Sequence, residues 1–124
     1  MIDWSKYPNF TEQELACRHT GKCRMDPEFM AILQAIRNEY GPMTITSGYR
    51  HPTHPIEAKK ATPGEHSLGR CVDVGVEGKN AFRLIQIALK HGITRIGVQQ
   101  KGAGRFIHLG IGGLGFPSPA IWSY

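Results

Sequence analysis

Three residues of this chain can share a divalent metal, and two of them sit in the same kind of setting. His66 lies in a stretch bounded by glycines, Gly64-Glu65-His66-Ser67-Leu68-Gly69, followed by Arg70. Asp73 stands between Val72 and Val74, and His108 between Ile107 and Leu109. Successive side chains of a strand point to opposite faces, so the aliphatics go one way and the polar group the other. With His66 the set is His, Asp, His. Such a mixed nitrogen and oxygen set suits a catalytic zinc and leaves a position open for water.

Each member also has a plainer reading. A histidine between aliphatics can be an ordinary core or surface residue. A carboxylate buried among valines is costly unless it is paired or metal-bound, so the alternative for Asp73 is an ion pair with Arg70 or Arg50. Cys71 shares a strand face with Asp73 but stands near the strand's start, and it reads as a small core residue.

The elements that must position these groups follow from local signals. Thr11-Glu12-Gln13-Glu14 is a capping box opening a short helix through about Cys17. Asp26-Pro27 opens a longer helix, cap then proline, with Phe29, Leu33, Ile36 and Tyr40 on one face and Gly41 at its end. Residues 43–46 read as a strand, and residues 47–69 as a long loop with three prolines and no sustained period. Residues 71–76 read as a strand and 79–91 as a helix presenting Phe82, Ile85, Ala88 and Leu89. Residues 94–99 and 105–110 form a hairpin across the turn Lys101-Gly102-Ala103-Gly104. The Gly- and Pro-rich tail carries Trp122 and Tyr124, which pack back on the body. Helices first, then strands with one helix between them, predict an α+β fold in a single domain spanning residues 1–124.

The 124 residues suffice for one hydrophobic core, with 40% apolar and 20% charged residues. A formal charge of +5 favours polyanionic partners, either nucleic acid or a cell wall carrying anionic polymers. No dense Lys/Arg run is interleaved with aromatics, so nucleic acid is the disfavoured partner. No apolar stretch approaches the roughly 20 residues of a membrane span. The opening Met1-Ile2-Asp3-Trp4 lacks the pattern of a signal peptide, so the expected site of synthesis is the cytoplasm. Cys17, His19 and Cys23 could imitate a metal clip, but free thiols are the preferred reading.

Taken together, Ser47-Gly48-Tyr49-Arg50, the histidine-proline loop, His66-x-x-Gly69-Arg70-x-x-Asp73 and Phe106-Ile107-His108 resemble the M15 zinc peptidases, the D-alanyl-D-alanine carboxypeptidase group and its small phage-carried versions. Phe10-Thr11-x-x-Glu14-Leu15 and the closing Ile121-Trp122-Ser123-Tyr124 extend the similarity over nearly the whole chain. The resemblance implies an antiparallel sheet lining a zinc cleft, with helices packed on its other side. It implies His66, Asp73 and His108 as zinc ligands. Ser47, Tyr49, Arg50 and His54 would face the substrate, a peptidoglycan stem peptide with D-amino-acid bonds. Arg50 would hold a substrate carboxylate or a developing oxyanion. Read as residues, Ser47 is a turn hydroxyl and Tyr49 a packing group.

The chain departs from the family pattern where a general base is needed. Arg105 and Phe106 occupy the positions before the last histidine where an acid or histidine usually stands, and Gly110 replaces an aspartate that many small relatives carry two residues after it. Gly64 stands in place of a serine, and His54-Pro55 in place of a histidine-asparagine pair. Substitutes are Glu65, His54 and Glu57, although a regularly alternating backbone would point Glu65 away from His66. Two functions are therefore expected. One is a zinc peptidase of phage or prophage origin, a hydrolase acting on the cell wall in the manner of an endolysin. The other is a catalytically impaired module of the same fold, serving as a virion component or wall-binding domain.

Overall fold

The computed structural model describes residues 2–62, 64–113 and 115–124. Thr11 caps the short helix α1 (Glu12–Leu15) through the expected capping box, its side chain accepting from the Glu14 N–H at 3.1 Å while Glu14 receives the Thr11 N–H at 3.3 Å. Thr11→Ala is expected to lower stability by about 1 kcal/mol, read by urea denaturation; no change would mean that core contacts alone hold α1. Asp26 caps α2 (Pro27–Tyr40) by accepting from the Phe29 N–H, and Gly41 closes it. The strands are β1 (Thr44–Ser47), β2 (Cys71–Gly75), β3 (Arg95–Gln99), β4 (Phe106–Gly110) and β5 (Ala120–Ser123). Between β1 and β2 the chain makes the one-turn helix α3 (Pro55–Ala58) and a 3-10 turn over Glu65–Leu68, and α4 (Gly78–Lys90) joins β2 to β3.

The sheet runs in the order β1-β2-β4-β3-β5. Its first four strands are antiparallel neighbours, as expected, and β3 and β4 form the predicted hairpin. The tail adds the edge strand β5 parallel to β3, which makes the sheet mixed. The α+β class stands. Val72 and Val74 of β2, Ile96 of β3, and Ile107 and Leu109 of β4 enter one buried cluster with Phe29, Leu33 and Ile36 of α2 and Leu84 and Ala88 of α4. The alternate positions, Asp73 on β2 and His108 on β4, are cross-strand partners on the opposite face. Strand alternation thus separates core from site.

Helix α4 buries part of the face its periodicity suggested, Ala88 in the core and Ile85 half-buried against it, but the helix is rotated so that Phe82 and Leu89 face outward. Ala81, Leu84, Ile87 and Ala88 face inward, while Phe82 and Leu89 are 67% and 56% exposed. The helix carries two apolar stripes one residue apart, and one residue is about 100° of rotation. The inward stripe includes two alanines, which let the helix lie close against its neighbours. The cysteines Cys17, Cys23 and Cys71 are all free thiols. No helix among the described residues is long and apolar enough to cross a membrane.

Candidate metal centre

The long connection between β1 and β2 wraps back on itself and delivers His66 to the sheet. The motif Ser47-Gly48-Tyr49-Arg50 supplies the anchors. The Tyr49 N–H donates to the Leu15 carbonyl, and the Arg50 N–H donates to the His66 carbonyl at 3.2 Å. Ser67 Oγ donates to the Arg50 carbonyl at 2.7 Å. Gly69 ends the 3-10 turn at φ 68°, where a side chain would be strained, and a Cβ there would lie 2.0 Å from the Arg24 carbonyl oxygen. The backbone hydrogen bonds and the glycine together fix where the His66 ring can point.

His66, Asp73 and His108 are all buried and meet at one carboxylate oxygen. Asp73 Oδ1 lies 3.5 Å from His66 Nε2 and 3.0 Å from His108 Nδ1. The far nitrogen of each ring has its own acceptor. His66 Nδ1 is 2.8 Å from the Gly48 carbonyl, and His108 Nε2 is 2.8 Å from Glu65 Oε1. A carbonyl and a carboxylate only accept, so those far nitrogens carry the N–H; His108 Nδ1 faces a second carboxylate, so without a metal the doubly protonated imidazolium is the favoured form of that ring. A divalent cation can take the place of the proton between His108 Nδ1 and Asp73 Oδ1, with His66 Nε2 beside it as a further donor. The residues therefore fit a divalent metal, with outer partners that orient both rings as metal-binding histidines require.

A second donor set shares the same histidines. The ligand atoms of His66, Cys71 and His108 all lie within 4.8 Å of one another. The two candidate third donors differ in charge. Burial works against the Asp73 anion, but hydrogen bonds from His108 and His66 outweigh it and hold the carboxyl well below its usual range. Burial, reinforced by the Glu65 and Asp73 carboxylates, pushes the Cys71 thiol well above its ordinary value. Asp73 is ready to ligate as it stands. Cys71 must first lose a proton.

Glu65 is held on the far side of His108. Besides the imidazole, it receives Arg95 Nε at 3.0 Å and the Gly112 N–H at 2.7 Å. Burial raises its pKa, but these donors, His108 first, bring it below the ordinary glutamate value. Its oxygens lie where a side chain at position 110 would be: a Cβ on Gly110 would sit 2.0 Å from Glu65 Oε2. Burial also disfavours protonation of His108, yet the hydrogen bonds to Asp73 and Glu65 raise its pKa above the usual histidine value.

Above these residues opens a cleft of about 690 Å³, lined among others by Ser47, Arg50, Lys60, Arg95, Phe106, Phe116, Trp122 and Tyr124. Arg50 donates through Nε to Ser47 Oγ at 3.1 Å, and its terminal nitrogens lie 3.5 Å from Glu57 and 3.6 Å from Asp73. Of the two ion-pair alternatives for Asp73, Arg50 is the partner present, while Arg70 pairs with Asp26 and Glu28. Tyr49 is buried in the core cluster. His54 caps α3 by accepting from the Ile56 N–H, and its ring is not part of the cleft lining. Glu57 is 1% exposed and engaged by Lys60, Arg50, Ser67 and the Gly64 N–H. The two candidate bases of the loop are thus both engaged in local hydrogen bonds or ion pairs.

Two features had little signal in the sequence. Strand β5 lays Trp122 against the His108 ring at 5.0 Å between centroids. That approach needs Gly97, where a Cβ would lie 2.7 Å from Trp122 Nε1. Arg95 stacks over Trp122 and Phe116 at 4.9 and 5.3 Å while holding Glu65. An isolated arginine at a strand start gives no hint of a partner 30 positions earlier. A family model described as Peptidase M15 matches residues 8–110, a span containing all three of His66, Asp73 and His108. A search of curated proteins finds no match.

Proposed function

The chain belongs to the M15 peptidase family, and from that premise we propose that it is a zinc-dependent peptidase acting on peptidoglycan stem peptides. The observation that carries this reading is the pair of buried imidazoles, one nitrogen of each converging on Asp73 Oδ1. A zinc held by His66, Asp73 and His108 would polarise a scissile carbonyl and lower the pKa of a water. The chain's own groups bind and orient. Arg50 sits at distances from Glu57 and Asp73 that are long for tight ion pairs, so its fork keeps donors for a substrate carboxylate or oxyanion. Lys60 and Arg95 add positive charge to the cleft. Phe106, Trp122 and Tyr124 offer a wall for apolar side chains and exclude water. A short peptide carrying a free carboxylate, as a D-alanine-ended stem does, matches this lining. The small phage-carried enzymes that the sequence resembles make host lysis or wall penetration the setting.

The test is to load purified protein with zinc, incubate it with soluble wall peptides and identify the products by mass spectrometry. About one zinc per chain is expected, with cleavage abolished by a chelator and restored by zinc. Stoichiometric zinc with no cleavage of any wall peptide would overturn the enzymatic reading. One observation favours the alternative, a wall-binding or virion module. Among the described residues lining the cleft, both carboxylates are engaged, Asp73 by His66, His108 and Arg50 and Glu65 by His108, Arg95 and Gly112. Neither is left free to take a proton from water. That reading predicts co-sedimentation with purified sacculi and no released peptide.

A further inference from the structure

Cys71 is a buried thiol beside the candidate histidine ligands, and the proposed reaction gives it no task. It begins β2 at 0% exposure, two residues before Asp73 and on the same strand face. Its cross-strand partner is Gly110, which contributes no side chain to that face. Its sulfur and ring nitrogens of both candidate histidine ligands lie within 4.8 Å of one another. In a tetrahedral zinc site with Zn–S near 2.3 Å and Zn–N near 2.0–2.1 Å, sulfur and nitrogen end roughly 3.5 Å apart. To share an ion, the three donor atoms must close from within 4.8 Å of one another to about that separation.

We infer that Cys71 is a metal ligand, a thiolate that joins His66 and His108 beside Asp73. This rests on the metal-site reading proposed above and goes beyond its three-ligand set. The sulfur–metal bond forms as the S–H bond breaks, the proton leaves to solvent, and no oxidation state changes. A thiolate makes the site softer, so it selects zinc or cobalt(II) over magnesium, calcium or manganese. Four protein donors also fill a tetrahedral shell, the arrangement of a closed site, so water reaches the ion only when one donor withdraws.

Cobalt(II) reads the two questions separately. Metal-free wild type, Cys71→Ala and Cys71→Ser are each reconstituted with cobalt(II), and their absorption spectra are compared after circular dichroism has established that they are folded. The wild type is expected to show visible ligand-field bands and a near-ultraviolet sulfur-to-cobalt band. Both variants are expected to keep the visible bands and lose the near-ultraviolet one. Visible bands without a sulfur band in the wild type would overturn the inference and leave the histidine site standing. A sulfur band that survives in the variants would also overturn it, since Cys17 or Cys23 must then be its source. Absence of visible bands in the wild type would overturn the metal site itself, and the role of Cys71 with it. Where Cys71→Ala fails to fold, the near-isosteric serine carries the comparison.

Discussion

His108→Ala is expected to abolish zinc binding and peptide cleavage together, and also to weaken the protein before any metal is added. The imidazole lies between two buried carboxylates, 3.0 Å from Asp73 and 2.8 Å from Glu65. Removing it deletes one donor of the proposed metal set and the group that separates those negative charges. Truncating one partner of a buried ionic cluster typically costs about 3–5 kcal/mol, because the charges left behind lose their compensation. Urea denaturation of metal-free wild type and variant reads that cost directly. Zinc at a hundred times its dissociation constant should stabilise the wild type by about 2.7 kcal/mol and the variant not at all. Elemental analysis should show the loss of about one zinc per chain. A variant that retains zinc and cuts wall peptides would refute the assignment of His108, and an unchanged urea midpoint would refute the electrostatic account of its surroundings.

Much of this site could be read before the fold was known, because strand alternation is a local rule. Val72 and Val74 flank Asp73, and Ile107 and Leu109 flank His108, so the two polar groups had to share the face away from the core, and the register pairs them. Capping signals likewise located α1 and α2 through Thr11 and Asp26. Failure came where two solutions satisfy the same local rule. In α4 the stripes through Leu84 and through Ile85 have equal spacing, and only packing of Ala81 and Ala88 against neighbouring elements selects one. The parallel pairing of β5 with β3 is a contact between distant segments, with no periodic signature in a short Gly- and Pro-rich tail. Cys71 was legible as a neighbour of Asp73 on one face, yet its distance from His66 depends on how residues 47–69 fold back. Glu65 is the most instructive case. Adjacent to His66 in sequence, it reaches the other histidine of the pair, because the 3-10 turn over Glu65–Leu68 breaks the alternation that would have pointed it away.

On that geometry Glu65 is expected to act as a positioning residue, and its removal is expected to have the second largest effect. Glu65→Ala frees the Nε2–H of His108 and leaves Arg95 without its carboxylate among Trp122 and Phe116. Loss of such an outer partner typically lowers metal affinity or activity about 10- to 100-fold. A chelator competition titration should show zinc affinity falling within that range. A true general base would behave differently, with zinc affinity intact and turnover lost. The space above Gly110 provides the sharper experiment. A Cβ there would meet Glu65 Oε2 at 2.0 Å, so Gly110→Ala alone should be strongly destabilising. The φ of Gly110 is not positive, so its backbone accepts a side chain once Glu65 is gone. Glu65→Ala with Gly110→Ala should then cost less than the sum of the single changes, with a coupling of about 0.5–3 kcal/mol. Gly110→Asp in the Glu65→Ala background returns a carboxylate to the same volume from the opposite strand, at the position where many of the relatives it resembles carry aspartate. It should recover much of the lost zinc affinity, since what His108 requires is an acceptor at Nε2, whichever residue supplies it. If affinity stays low despite a folded double variant, Glu65 does more than orient the ring, and its pairing with Arg95 becomes the part of the site to dissect.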